Sequence, residues 1–135
     1  MDLVKALNIS AHGLKAQGTR LRVISENVAN SDSTAQNPGG EPYRRKVVTF
    51  ESELDRALGT ETVRVGGITP DRSDFGRRFD PGHPAADDKG YILTPNVNAL
   101  LEMADMREAQ RSYEANLKVI QSSRSMLQQT IDILR

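Results

Sequence analysis

Apolar residues recur at steps of three and four at both ends of the chain. One set is Leu3, Leu7, Leu14, Leu21, Ile24 and Val28; the other is Met103, Met106, Tyr113, Leu117, Ile120, Leu127, Ile131 and Leu134. This spacing keeps side chains on one side of a helix and gives the helix a stripe that seeks a partner. Only Gln110 and Arg124 put polar side chains on the C-terminal stripe, and Ser10 and Gln17 interrupt the N-terminal one. The pattern predicts an α+β fold: long N- and C-terminal helices pair as a coiled-coil-like layer and hold a small β-rich middle segment between them.

The predicted organisation is an N-terminal helix in residues 1–30, a loop with a small β-containing insert in 31–95, and a C-terminal helix in 96–135. The first helix runs from about Leu3 to about Val28 and ends where Asn, Ser, Asp and Thr compete for backbone hydrogen bonds, with Asn30 as a left-handed cap. Gly13 and Gly18 lie inside it, each costing about 0.8–1 kcal/mol relative to Ala, so they ask for a reason. Val4, Ala11, Gly18 and Ser25 recur every seven residues beside the leucines and form a strip where another backbone could come close. Pro and Gly make residues 35–42 a flexible loop. Short β-branched or aromatic runs at 43–50, 62–68 and 91–94 predict three strands, and residues 70–89, dense in Asp, Pro and Gly, read as irregular. Pro95 keeps Thr94 out of helical angles, and Asn98 is a good N-cap, so the second helix starts between Asn96 and Asn98. Its length is roughly 57 Å at 1.5 Å per residue. Glu114 with Lys118 and Glu108 with Arg111 are helix-surface pairs.

Composition sharpens this picture. With 37% hydrophobic and 4% aromatic residues and no Trp, the chain has little material for an independent core. The first helix, without any aromatic residue, needs a partner surface. Eighteen charges of each sign give no footprint for nucleic acid or an anionic membrane face. No stretch can insert in a bilayer, and Asp2, Lys5, His12 and Lys15 break any signal-peptide core. Cysteine is absent, which excludes thiol chemistry, zinc-thiolate sites and disulfides. Taken bare, the chain reads as cytosolic.

Chemistry is sparse. His83 stands among Asp71, Asp74, Asp80, Asp87 and Asp88 in a segment that reads as a solvated loop, but the spacing matches no metal signature. Gly39-Gly40 and Gly66-Gly67 lack the Lys-Ser/Thr and helix start of a phosphate loop. No Ser-His-acid set is suggested, so neither catalysis nor a metal or other cofactor is expected. Arg124 is an oddity on an apolar stripe: it could set register against a neighbouring acid, or lay its stem along the stripe with its head in water.

The run Glu26-Asn27-Val28-Ala29-Asn30-Ser31, followed by Pro42-Tyr43-Arg44-Arg45-Lys46 and Val47-Val48-Thr49-Phe50, resembles the N-terminal signature of the bacterial flagellar axial family, the rod and hook proteins. The segment 80–87, Gly90-Tyr91-Ile92, Pro95-Asn96-Val97-Asn98, and the run from Ala109 through Tyr113, Glu114 and Ala115 to Asn116 are similar to the proximal-rod type. The resemblance covers nearly the whole chain. It implies a structural subunit whose terminal helices pair in the inner tube of the rod, the drive shaft that spans the periplasm and transmits torque for motility. Its implied partners are itself, other rod subunits and the flagellar type III export apparatus, which exports such chains without a cleaved signal peptide. The implied location replaces the cytosolic reading. Phe50 and Leu54 fit the Phe-x-x-x-hydrophobic export element of such substrates, but the pattern is a weak one and the pair reads first as core residues. Residues 33–42 depart from the tight turn of many axial proteins. The competing readings are a cytosolic coiled-coil adaptor or chaperone, and a metal-dependent hydrolase built on His83.

Overall fold

A computed structural model describes residues 2–134. The element order is α1 (Leu3–Ala29), β1 (Lys46–Asp55), β2 (Thr60–Pro70), β3 (Gly76–Phe79), β4 (Tyr91–Thr94) and α2 (Ala99–Ile133). Two long terminal helices with a small β middle make the chain α+β, as the hydrophobic pattern predicts. Asn98 caps α2: its Oδ1 accepts from the amides of Leu100 (3.1 Å) and Leu101 (3.4 Å). At the other boundary, Asn30 donates from Nδ2 to the Glu26 carbonyl (2.8 Å) and from its amide to the same oxygen (3.1 Å), closing the last turn of α1. Among the described residues no non-glycine has positive φ, so Asn30 ends the helix without the left-handed conformation expected of it.

The middle differs from expectation in two ways. β1 and β2 form a two-stranded hairpin that runs past Phe50 to Asp55, where Arg64 of β2 pairs with Glu51 (3.1 Å) and reaches Glu53 (3.8 Å). Asp55 Oδ1 accepts from the amides of Ala57 (2.9 Å) and Leu58 (3.3 Å), and Gly59, at φ 60°, completes the turn. Phe50 and Leu54 are exposed on this hairpin, which corrects the reading of the pair as core. The stretch expected to be irregular contains β3, paired antiparallel with β4 in the register Gly76 to Thr94 and Phe79 to Tyr91. Every residue of β3 is exposed, so no alternation marks it in the sequence; its anchor is the buried Ile92 on β4.

The chain divides into two compact units. The first takes the residues up to Leu21, Val48–Gly67, and those from Arg107 on; the second takes Arg22–Val47 and Ile68–Met106.

In the second unit, residues 80–90 fold into successive turns. His83 Nδ1 accepts the Ala85 amide (3.0 Å), which leaves Nε2 to carry the proton toward Thr34 Oγ1 (3.0 Å). Gly90 adopts φ 81°, and a Cβ there would lie 2.9 Å from the Phe79 ring. The loop is exposed over much of its length, as expected, and these turns order it. Among the described residues no cluster of three or more His, Cys, Asp or Glu could hold a metal ion.

Candidate functional site: an open helical stripe and a buried polar junction

In the first unit α1 and α2 meet through small side chains. Ser10, Gly13 and Ala16 of α1 and Ala109 and Ser123 of α2 are buried. The close approach explains Gly13, where a Cβ would stand 2.8–2.9 Å from the Asn116 amide group. Gly18 faces the Tyr113 ring, 4.0 Å from where its Cβ would be. Backbones that come this close gain dispersion contacts and leave no room for leucines between them. The apolar stripe of α2 therefore lies at the edge of the contact. Ile120 and Leu127 are half-buried, whereas Tyr113, Leu117, Ile131 and Leu134 are exposed, with Ile131 at 55%. Leu3, Leu7, Leu14 and Leu21 are all half-buried along α1. Arg124, exposed, lines a groove with Val4, Leu7, Asn8, Ala11 and Ile120. Among the described residues no acid stands within ion-pair distance of it.

The second unit is organised around Asn27, which is 1% exposed. A primary amide offers two donors and two acceptor lone pairs, and Asn27 uses all four. Nδ2 donates to the Lys46 carbonyl (2.9 Å) and to Glu102 Oε2 (3.1 Å). Oδ1 accepts from the Tyr43 hydroxyl (2.8 Å) and from the Lys46 amide (2.9 Å). One side chain thus ties the end of α1, the segment entering β1 and the first turn of α2. Burial raises the Tyr43 phenol above its ordinary 10.0, which keeps it protonated as the donor.

Glu102, also 1% exposed, accepts a hydrogen bond from Arg45 Nε in a close ion pair. Burial alone would lower the Arg45 pKa, but the bond and charge of Glu102, helped by Asp71, raise it instead. Asp71 Oδ2 lies 3.4 Å from Arg45 and Asp105 Oδ2 lies 3.8 Å away. Asn96 completes the junction: Oδ1 accepts the Arg45 amide (2.8 Å), and Nδ2 donates to the Asp71 carbonyl (3.0 Å) and to Ser73 Oγ (2.9 Å). Val23 and Ile24, buried on α1, and buried Pro95 supply apolar surroundings that exclude water from these bonds.

The ends of the chain show the family. Residues 7–35 match the family described as flagella basal body rod protein, and residues 88–133 match the flagellar basal body rod FlgEFG protein C-terminal family. The flagellar basal-body rod protein FlgC of Agrobacterium fabrum is 55% identical over 98% of this chain and 96% of its own length. The chain belongs to the FlgC family. FlgC proteins of Borreliella burgdorferi (40% identical, covering 100% of this chain and 99% of theirs) and Bacillus subtilis (38%, covering 98% and 99%) are similar over the same extent. It is a structural subunit of the flagellar basal-body rod, as the signature runs imply.

The structure divides the FlgC-type signature by job. Asn27, Tyr43 and Asn96 are brought together in the junction; Pro95 is buried beside it, and Asn30 and Asn98 finish the helix ends. Asn116 donates to the Ser112 carbonyl (2.9 Å) and fills the space over Gly13, Tyr113 stands over Gly18, and Glu114 is exposed. Of the stripe residues in the second unit, Ile24 is buried, Val28 and Met106 are half-buried, and Met103 is exposed. Arg45 and Glu102 carry the central ion pair and escape the pattern reading, Glu102 because it sits one step from Met103 on an amphipathic helix. Its signal is positional: Glu102 and Met106 share a helical face at i and i+4, so an acid there needs a partner.

Acid should loosen this unit. Hydrogen bonds from Ser73, with help from Arg45, lower Asp71 below its ordinary 3.8, and amide bonds from Tyr91 and Lys89 do the same for Asp87. A carboxylate whose folded pKa is depressed contributes stability that is complete above its unfolded value and lost as pH falls through the folded one. Chemical denaturation of the dilute protein is expected to give constant stability from these groups above about pH 5, and declining stability below about pH 4. Asp71→Asn with Asp87→Asn is expected to flatten that decline.

Proposed function

We propose that the chain builds the proximal segment of the rod, joining copies of itself and other rod subunits through α1 and α2 to form a shaft that carries torque across the periplasm. The observation that carries this reading is the row of large apolar side chains left uncovered on α2, among them Tyr113, Leu117, Ile131 and Leu134. Soluble chains seldom leave such a row open unless another surface covers it. Many side-by-side helix contacts spread a twisting load better than one hinge.

Export fits the same picture. Among the described residues no helix is long and apolar enough to cross a membrane, and a thin core suits a chain threaded unfolded through the flagellar type III export apparatus without a cleaved signal peptide. Phe50 and Leu54 stand four apart on an exposed strand and are available as the export element.

Fractionation of cells making a tagged chain tests the proposal. A rod subunit is expected to co-purify with basal bodies after detergent and alkaline extraction. Recovery wholly in the soluble cytosol would instead favour an adaptor or chaperone.

A further inference from the structure

We propose that His83 is a pH-operated latch: its neutral ring ties the strap of residues 33–42 to the turns of residues 80–90, and protonation in mildly acid solution releases the strap. Both segments belong to the second unit.

The turns close without the imidazole. The Asp80 amide donates to the Gly90 carbonyl (2.9 Å), the Asp87 amide donates to the Tyr91 carbonyl (2.9 Å), and Asp87 Oδ1 accepts from the amides of Lys89 (2.9 Å) and Tyr91 (2.9 Å). The strap is fixed at its ends. Its Ser33 hydroxyl donates to the Asn30 carbonyl (2.9 Å), and Pro42 is buried just before Tyr43 enters the junction. Among the described residues one hydrogen bond joins strap and turns, from His83 Nε2 to Thr34 Oγ1 (3.0 Å). Elsewhere a cleft separates them, with Ala35, Gly39 and Gly40 on the strap side and Arg77, Ala85 and Tyr91 opposite. One ring carries the polar tether.

The chemistry of that ring makes the tether conditional. In the neutral form Nδ1 accepts the Ala85 amide (3.0 Å), and this bond aims Nε2–H at Thr34. A protonated ring carries hydrogen on both nitrogens, so Nδ1 would face the Ala85 N–H as donor against donor. Turning Nδ1 out to water takes Nε2 off Thr34, because the ring moves as one plate. No acid holds the charged ring in place. Asp80 reaches Arg78 (4.0 Å) and Asp87 reaches Arg77 (3.8 Å), while Asp32 near the strap and Asp88 in the turns form no ion pair with the ring among the described residues. Imidazoles change charge between about pH 5 and 8, above the range of ordinary carboxylates. Release widens the cleft and frees the strap ahead of Tyr43.

Nuclear magnetic resonance of the dilute full-length chain tests the latch without depending on rod assembly. Between about pH 7.5 and about pH 5.5 the cross-relaxation contact between the Thr34 methyl and the His83 ring is expected to be lost and the amide signals of residues 33–42 to shift. Exchange of the Ala85 amide, corrected for the intrinsic effect of pH, is expected to speed about fivefold, as loss of one hydrogen bond predicts. In His83→Gln, which cannot titrate, the strap signals should stay still over the same range. His12→Gln, which removes the other histidine of the chain, should leave the response intact. The same contact and exchange rate at both pH values in the parent chain, or a response that survives His83→Gln or vanishes with His12→Gln, overturns the inference.

Discussion

Leu117→Asp and Ile131→Asp are each expected to leave the isolated chain folded and to stop its incorporation into rods. Both side chains are exposed, Leu117 at 39% and Ile131 at 55%. A surface substitution of this kind usually changes stability by less than about 0.5 kcal/mol. In an assembly the account is different. Covering a large aliphatic side chain contributes about 1.5–3 kcal/mol, and an aspartate there must lose its water or hold the surfaces apart. The concentration needed for self-association should rise at least about a hundredfold. The checks are a melting temperature for the monomer, sedimentation for assembly, and complementation of a rod-deficient strain for swimming. Leu14→Asp and Ile120→Asp should also block rods, but by a mixed route, since both positions are already half-buried inside the chain. Normal swimming with either exposed-position variant would remove the stripe from the mechanism.

Asn27→Leu should produce the largest loss of stability of any single change in the second unit. The leucine removes four hydrogen bonds and strands the Tyr43 hydroxyl, both backbone groups of Lys46 and one oxygen of Glu102 in a buried setting. Each stranded group costs about 1–3 kcal/mol, and partial relaxation brings the expected total to about 3–5 kcal/mol. That is a large share of the stability of an ordinary domain, about 5–15 kcal/mol. Denaturant unfolding of the variant measures it. Asn27→Asp is a sharper probe, because it keeps the acceptor for Tyr43 and the Lys46 amide but sets a carboxylate against Glu102 and the Lys46 carbonyl. Combining it with Glu102→Gln, which restores a donor and removes one negative charge, should recover a substantial part of the loss. A variant within about 1 kcal/mol of the parent would show that the junction is not held as described.

The helices were legible because their signals are local. Steps of three and four marked Leu3 onward as α1, and Asn98 marked the start of α2 through bonds only two and three residues away. β3 was hidden for the opposite reason: four exposed residues with two arginines have no alternation, and their partner lies beyond a turn-rich loop. The junction was half legible. Asn27, Tyr43 and Asn96 stood out by resemblance, but the bond from Asn27 to Glu102 spans 75 positions of sequence, and no periodicity encodes such a contact. Gly13 and Gly18 were visible as anomalies, and the structure supplies the reason in Asn116 and Tyr113. The stripes told which side chains are apolar, not which are covered. Small residues beside them decide that, since Gly13, Ala16 and Ala109 let the helices close before the leucines meet.

The most direct measurement compares maleimide labelling of Leu117→Cys in the dilute chain and in purified basal bodies. Fast labelling of the dilute chain and strong protection within the rod are expected. Equal labelling in both, or protection already complete in the solitary chain, would contradict the account.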